Sequence, residues 1–179
     1  GRFEAAREAE AKWDAFVAEL DHGPSSAFAR ATKLYLLQAR HDFGGTLAGA
    51  RTLLAIAQEE NFLLWVTVAR IFIAWAEGMR GDRPAEEAAA AMQEAIEGFK
   101  ATQTRVILVQ VKAMLAELAL ASDDLDAAIA ACDAGIENFE GRQEGVFAPE
   151  VFRMRGSSTS QRAGASAGAG DCARAWDHT

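Results

Sequence analysis

Cysteine, proline and tyrosine are scarce in this chain, with two, three and one among 179 residues. Cys132 and Cys172 have neither metal nor redox spacing, so no zinc site and no CxxC chemistry is expected. Basic charge is short as well: 18 Lys and Arg stand against 26 Asp and Glu, a net charge of -8. No Lys/Arg stripe exists to meet phosphates, which excludes a direct nucleic-acid surface. A run of about 18 uncharged apolar residues is also lacking. The longest attempt, 62–77, is interrupted by Arg70, so no membrane span is expected. The opening stretch 2–19 is charged throughout and does not read as a signal peptide. These absences point to a cytoplasmic protein, or a piece of one.

What the chain has is alanine, leucine and helical periodicity. The length suffices for one domain with a sizeable core. Spacings of three and four place helices near 2–20, 27–41, 47–60, 62–79, 85–102, 104–120, 125–139 and 146–155. In the first, Phe3, Ala6, Trp13, Phe16, Val17 and Leu20 form the expected buried set, and in the second Phe28, Ala31, Leu34, Tyr35 and Leu37. Gly44 and Gly45 are expected to end the second helix, with Thr46 as the next N-cap. The stretch 61–104 is one complete helical hairpin, split at Gly81 to Pro84, and Pro84 can open a helix at its first turn.

An internal repeat accompanies the hairpins. Ala48, Thr52, Ala55 and Ile56 recur forty residues later as Ala88, Met92, Ala95 and Ile96, and again as Ala128, Cys132, Gly135 and Ile136. The small column, 48/88/128, would let paired helices approach closely, and the bulky positions would fill the groove between pairs. Two extra residues between Gly81 and Ala88 imply a wider turn there.

These residues resemble tetratricopeptide repeats of a loose, lengthened type, with Ala48, Ala88 and Ala128 as the helix-packing alanine and Ala74 or Ala116 as its partner. More narrowly, Phe62-Leu63-Leu64-Trp65, Ala74-Trp75-Ala76, Glu94-Ala95-Ile96, 100–105, Met114-Leu115-Ala116-Glu117, Asp133-Ala134-Gly135-Ile136 and 152–156 follow in order. That succession is similar to the C-terminal repeats of large bacterial regulators, which carry an adenylate/guanylate cyclase or DNA-binding domain before a signalling ATPase. The resemblance covers roughly 27–156. It implies an all-α, α-solenoid array of antiparallel helix pairs over 1–156. It also implies a non-catalytic module that binds protein, peptide or other domains of the same longer chain and regulates an attached signalling domain. No P-loop, cyclase carboxylate set or kinase signature occurs, so the catalytic parts of those regulators do not carry over. The alternatives are a small-molecule effector groove near Trp65 and, third, a helical-bundle enzyme, which would need polar residues converging from facing helices.

After Gly156 the resemblance stops, and 157–179 reads as an irregular tail of Gly, Ala and Ser. It is either a flexible tail or an out-of-frame translation; the second is favoured, since it would explain Cys172, Trp176 and His178.

Little of the polar chemistry converges. His41-Asp42 could be an acid/base pair, but it ends a helix, where His suits the dipole and Asp starts a turn. Cys132 shares the bulky column with Met92 and reads as a small core residue. Glu59-Glu60 and Glu86-Glu87 are adjacent, so each pair points about 100° apart and cannot hold a metal together. No catalytic, cofactor or metal residue is therefore assigned. In repeat arrays the first helix of each pair faces the concave side. The residues expected on that groove are Arg30, Lys33, Trp65, Arg70, Arg105, Gln110 and Lys112. Their charge suits an acidic peptide or a neighbouring domain.

Overall fold

The structure is a computed structural model that describes residues 2–20, 22–102, 107–140 and 148–176. Among them the fold is all-α, with no strand. Its helices are α1 (Arg2–Glu19), α2 (Gly23–Ala39), α3 (Phe43–Glu59), α4 (Leu63–Arg80), α5 (Ala85–Thr102), α6 (Leu108–Ala121), α7 (Leu125–Glu140) and α8 (Ala148–Trp176). No helix among the described residues is long and apolar enough to cross a membrane.

Helix boundaries follow from the caps. α2 starts at Gly23, earlier than the periodicity places it. Pro24 sits in its first turn, and His22 Nδ1 accepts the Ser25 amide at 3.3 Å. α3 likewise starts before Thr46: Asp42 is the cap and its Oδ1 accepts the Gly45 amide at 2.8 Å. A Cβ on Gly45 would lie 2.4 Å from Asp42 Oδ2, so glycine is what lets the carboxylate fold back. The two glycines thus open a helix instead of closing one. Four helix ends share a left-handed residue, at His41, Asn61, Gly81 and Asp123. Each is followed by an amide that reaches the carbonyl five residues back: Asp42 to Leu37, Phe62 to Ala57, Asp82 to Glu77 and Asp124 to Ala119, at 2.8–3.0 Å. One turn chemistry therefore closes α2, α3, α4 and α6.

The helices form two layers. α2, α4, α6 and α8 lie side by side, and α3, α5 and α7 each pack on the two even-numbered helices that flank them in sequence. Among the described residues α3, α5 and α7 do not pack on one another, and α1 meets α2 alone. α4 is apolar nearly all round because α2, α3, α5 and α6 surround it. Phe72 and Trp75 are its largest fully buried side chains. A second cluster joins Val109, Ala113 and Ala116 of α6 to Cys132 of α7 and Val151 and Met154 of α8. Burial pushes the Cys132 thiol up to about 11, as expected of an inert core cysteine.

The repeat holds for α5 and α7 and slips at α3. Ala88, Met92, Ala128 and Cys132 are fully buried, but Ala48, Thr52 and Ala55 are exposed. Thr46 and Ala50 take the buried places instead. Thr46, Ala88 and Ala128 each donate their amide to the residue four back, at Asp42, Pro84 and Asp124, so they are equivalent helix positions. The first interval is thus two residues longer than the second, because Arg83 and Pro84 lengthen the turn after Gly81. A threonine therefore occupies a column built for alanine, and its Oγ1 has no hydrogen-bond partner. An unpaired buried hydroxyl costs about 1–3 kcal/mol. Thr46→Val keeps the shape and removes the hydroxyl, and should raise the unfolding free energy by about 1 kcal/mol. A urea midpoint that falls in this variant would refute the assignment of Thr46 to the packed column.

At the far end, α8 continues past Arg155 to Trp176, where an irregular tail was expected from Ser157 on. The hydroxyls of Ser158, Thr159 and Ser160 each donate to the carbonyl four residues back, at 2.8–3.0 Å. Ser158 is buried, and Arg162 Nη1 pairs with Asp126 Oδ1 of α7 at 2.6 Å. These hydroxyls are satisfied on their own helix, so Ser158 can be buried where no apolar face is offered.

Candidate binding clefts and a buried carboxylate

The residues expected on one groove do not share one. Arg30 and Lys33, one turn apart on α2, line a cleft of about 510 Å³ between α1, α2 and α3. Trp13, Asp14 and Val17 of α1 form its far wall, and Gly45, Gly49 and Thr52 of α3 its floor. Lys33 Nζ lies 2.6 Å from both Asp14 oxygens. Arg30 Nε donates weakly to Ser26 Oγ, at 3.4 Å. The lining thus holds two cations and two carboxylates, since Asp42 joins Asp14 there, with Leu34 and Leu37 behind them.

The other expected residues lie elsewhere. Arg70 lines a separate cleft of about 450 Å³ between α3 and α5, together with Arg83 and Glu94. Trp65 is half-buried and packs edge-on against Phe28 at 6.0 Å. Gln110 is 1% exposed, and its Nε2 donates to Gln38 Oε1 at 3.1 Å, so it is a core amide and no surface ligand. Lys112 turns its stem towards Gly135 of α7. Arg105 lies outside the described residues. Several side chains expected inside are also exposed: Phe16 at 56% and Phe28 at 59%, with Trp13 at 36%. They border an apolar cleft of about 420 Å³ beside α1, so Trp13 stands between a charged hollow and an apolar one.

The polar group that sequence reasoning missed is Glu117. It is the single acid of α6. Its side chain is 11% exposed. Oε2 accepts the Trp75 indole N–H at 2.7 Å, and Oε1 lies 3.1 Å from His41 Nε2. His41 also lies against Phe43 and Trp75, at 5.7 and 6.5 Å between ring centroids. It is therefore paired with Glu117 from the opposite side of α4, and its neighbour Asp42 serves as the α3 cap. A lone acid on an otherwise apolar helix was the available signal, since a buried carboxylate needs donors. Burial raises the Glu117 carboxyl above its ordinary range, partly offset by the bonds from His41 and Trp75; the Glu150 carboxylate adds to the rise. Glu150 itself is held low by the Arg153 guanidinium bonded to it. The sign follows from proton binding: the folded state holds the Glu117 proton more tightly than the unfolded one. Its contribution to stability is thus full below the ordinary carboxylate range and lost as pH rises through the raised value.

No family of known proteins, no curated protein and no solved structure matches the chain.

Proposed function

We propose that the chain is a non-catalytic, tetratricopeptide-like solenoid module. In this reading it binds an acidic segment of a protein, peptide or neighbouring domain in the α1–α3 cleft, and so regulates an attached signalling domain. The observation that supports this is one hollow that sets Arg30, Lys33 and Trp13 together, with Lys33 held by Asp14 and with Asp42 also in the lining. Arg30, bonded only weakly to Ser26, and the exposed Trp13 indole suit an acidic stretch with an apolar neighbour. Such a stretch would compete with Asp14 for Lys33 while the ring covers the apolar side chain. A small anionic effector is the second reading, because about 510 Å³ falls within the usual span of small-molecule sites. Enzymatic use of Glu117 and His41 is less favoured, since their polar atoms are taken up by one another and by Trp75.

The test is titration of a fluorescent Glu-rich peptide carrying one Leu or Phe, read by anisotropy. Lys33→Glu and Arg30→Glu should each weaken binding at least about tenfold, a loss of about 1.4 kcal/mol. Added salt should weaken the wild-type complex as it screens the same charges. Binding unchanged by either reversal, or absent from the wild-type protein, would remove the reading. Competition by a small dicarboxylate alone would favour the effector site.

A further inference from the structure

Two polar bridges cross from α2 to α6 over the buried helix α4. Gln38 meets Gln110 deep in the core, and His41, just past the end of α2, meets Glu117 at the protein surface. The backbones of α2 and α6 do not pack on each other. The inner bridge carries no charge, and Gln110 Oε1 is left without a partner, so it holds position without gripping hard. The outer bridge joins an imidazole to a carboxylate, and its strength depends on both charges. His41 also sits in the left-handed region, at φ 52°, as the residue that closes α2, so its ring is placed by the helix-ending turn itself.

We propose that His41 and Glu117 form a pH-sensitive clasp that sets how far α2 and α6 stand apart across α4. With the imidazolium present, the pair is charge-assisted, and the ring lies near Phe43 and Trp75, at 5.7 and 6.5 Å between centroids. Loss of the imidazole proton removes the charge from one side and leaves the Glu117 carboxylate facing only neutral donors. The charges acting on Glu117 are His41, Glu150 and Arg153, the last two on α8. Glu150 repels it and adds to the rise that burial imposes, Arg153 attracts it, and His41 draws on both carboxylates, Glu117 and Glu150. The inner amide bridge then acts as the pivot. Opening the clasp spreads the ends of α2 and α6 that carry it, and moves the α3 cap at Asp42, which lines the charged cleft.

Spin labels at Ala39→Cys and Ala121→Cys bracket the clasp from exposed positions one turn or less away. Cys172→Ser removes a competing thiol, and Cys132 stays because it is buried. Dipolar distance measurements on the full chain should give a narrow distribution at pH about 5.5 and a longer, broader one at pH about 8.5. His41→Asn keeps a residue that tolerates the left-handed turn, and Glu117→Gln keeps an acceptor for Trp75. Each should show one distribution at both pH values. A wild-type distribution that does not change with pH overturns the proposal, and so does a pH response that survives in His41→Asn or Glu117→Gln.

Discussion

Trp75→Ala should lower the unfolding free energy by about 3–5 kcal/mol. The side chain is 0% exposed and is among the largest fully buried groups. Its ring packs edge-on against Phe43 at 5.3 Å, so truncation opens a hole at the centre of the even-numbered layer. The α4 backbone around it is held by helices on four sides, which limits collapse into that hole. Truncation also strips Glu117 of its closest donor and leaves a buried carboxylate with His41 alone. A domain of ordinary stability has about 5–15 kcal/mol in total, so the variant should be near unfolding at room temperature. Trp75→Phe separates the two losses. It keeps most of the ring and removes the N–H, for about 1–3 kcal/mol. Because the indole bond lowers the Glu117 pKa, its loss raises that carboxyl further. The Trp75→Phe deficit should therefore shrink as pH falls towards the carboxylate range and widen at neutral pH. Urea unfolding at both pH values reads both effects. A Trp75→Ala protein within about 1 kcal/mol of wild type would show that the pocket relaxes freely.

How much of this was legible from sequence differs between fold and site. The α5 bounds agree with its 3.6-residue pattern, and α7 agrees within a residue, since both pack apolar stripes on a flanking helix. The α2 and α3 starts were hidden by Pro24, Gly44 and Gly45, which punctuate a chain in general but open a helix here because His22 and Asp42 cap them. The forty-residue register misplaced the α3 column by two positions, because Ala48 offers the expected residue type while Thr46 holds the buried place. Composition favours the wrong one; only the turn geometry after Gly81 decides. Arg30 and Lys33 are neighbours on one helix, so periodicity could group them. Asp14 and Trp13 complete the cleft from α1, and no pattern within α1 says how it lies on α2. Arg70 shows the reverse problem. It is on the expected helix, but eight of its neighbours from Thr67 to Ala76 are buried, and it occupies the gap left between α3 and α5.

Gly78 and Ala88 bring α4 and α5 close together, and their coupling should be measurable. A Cβ on Gly78 would stand 2.6 Å from the Ala88 Cβ and 2.5 Å from Leu118 Cδ2. The leucine methyl is the end of a flexible side chain and can swing away. The alanine methyl is fixed to the α5 backbone, so α5 itself would have to move. Repeat chemistry pointed to Ala74 as the small partner of Ala88; the structure sets Gly78, one turn later, against it. Ala88→Leu should therefore cost about 3 kcal/mol, the upper end for overpacking, because glycine leaves no side chain opposite that could repack. Gly78→Ala gains about 0.5–1 kcal/mol of helix propensity and should still come out destabilising. Ala88→Gly costs about 1 kcal/mol alone, from propensity, but clears the space into which the Gly78→Ala methyl points. The double variant Gly78→Ala/Ala88→Gly should then be more stable than the two single losses predict by at least about 1 kcal/mol, within the range seen for residues in contact. Denaturant melts of the four proteins close the cycle. Losses that simply add, to within about 0.5 kcal/mol, would mean that α4 and α5 do not meet at this point.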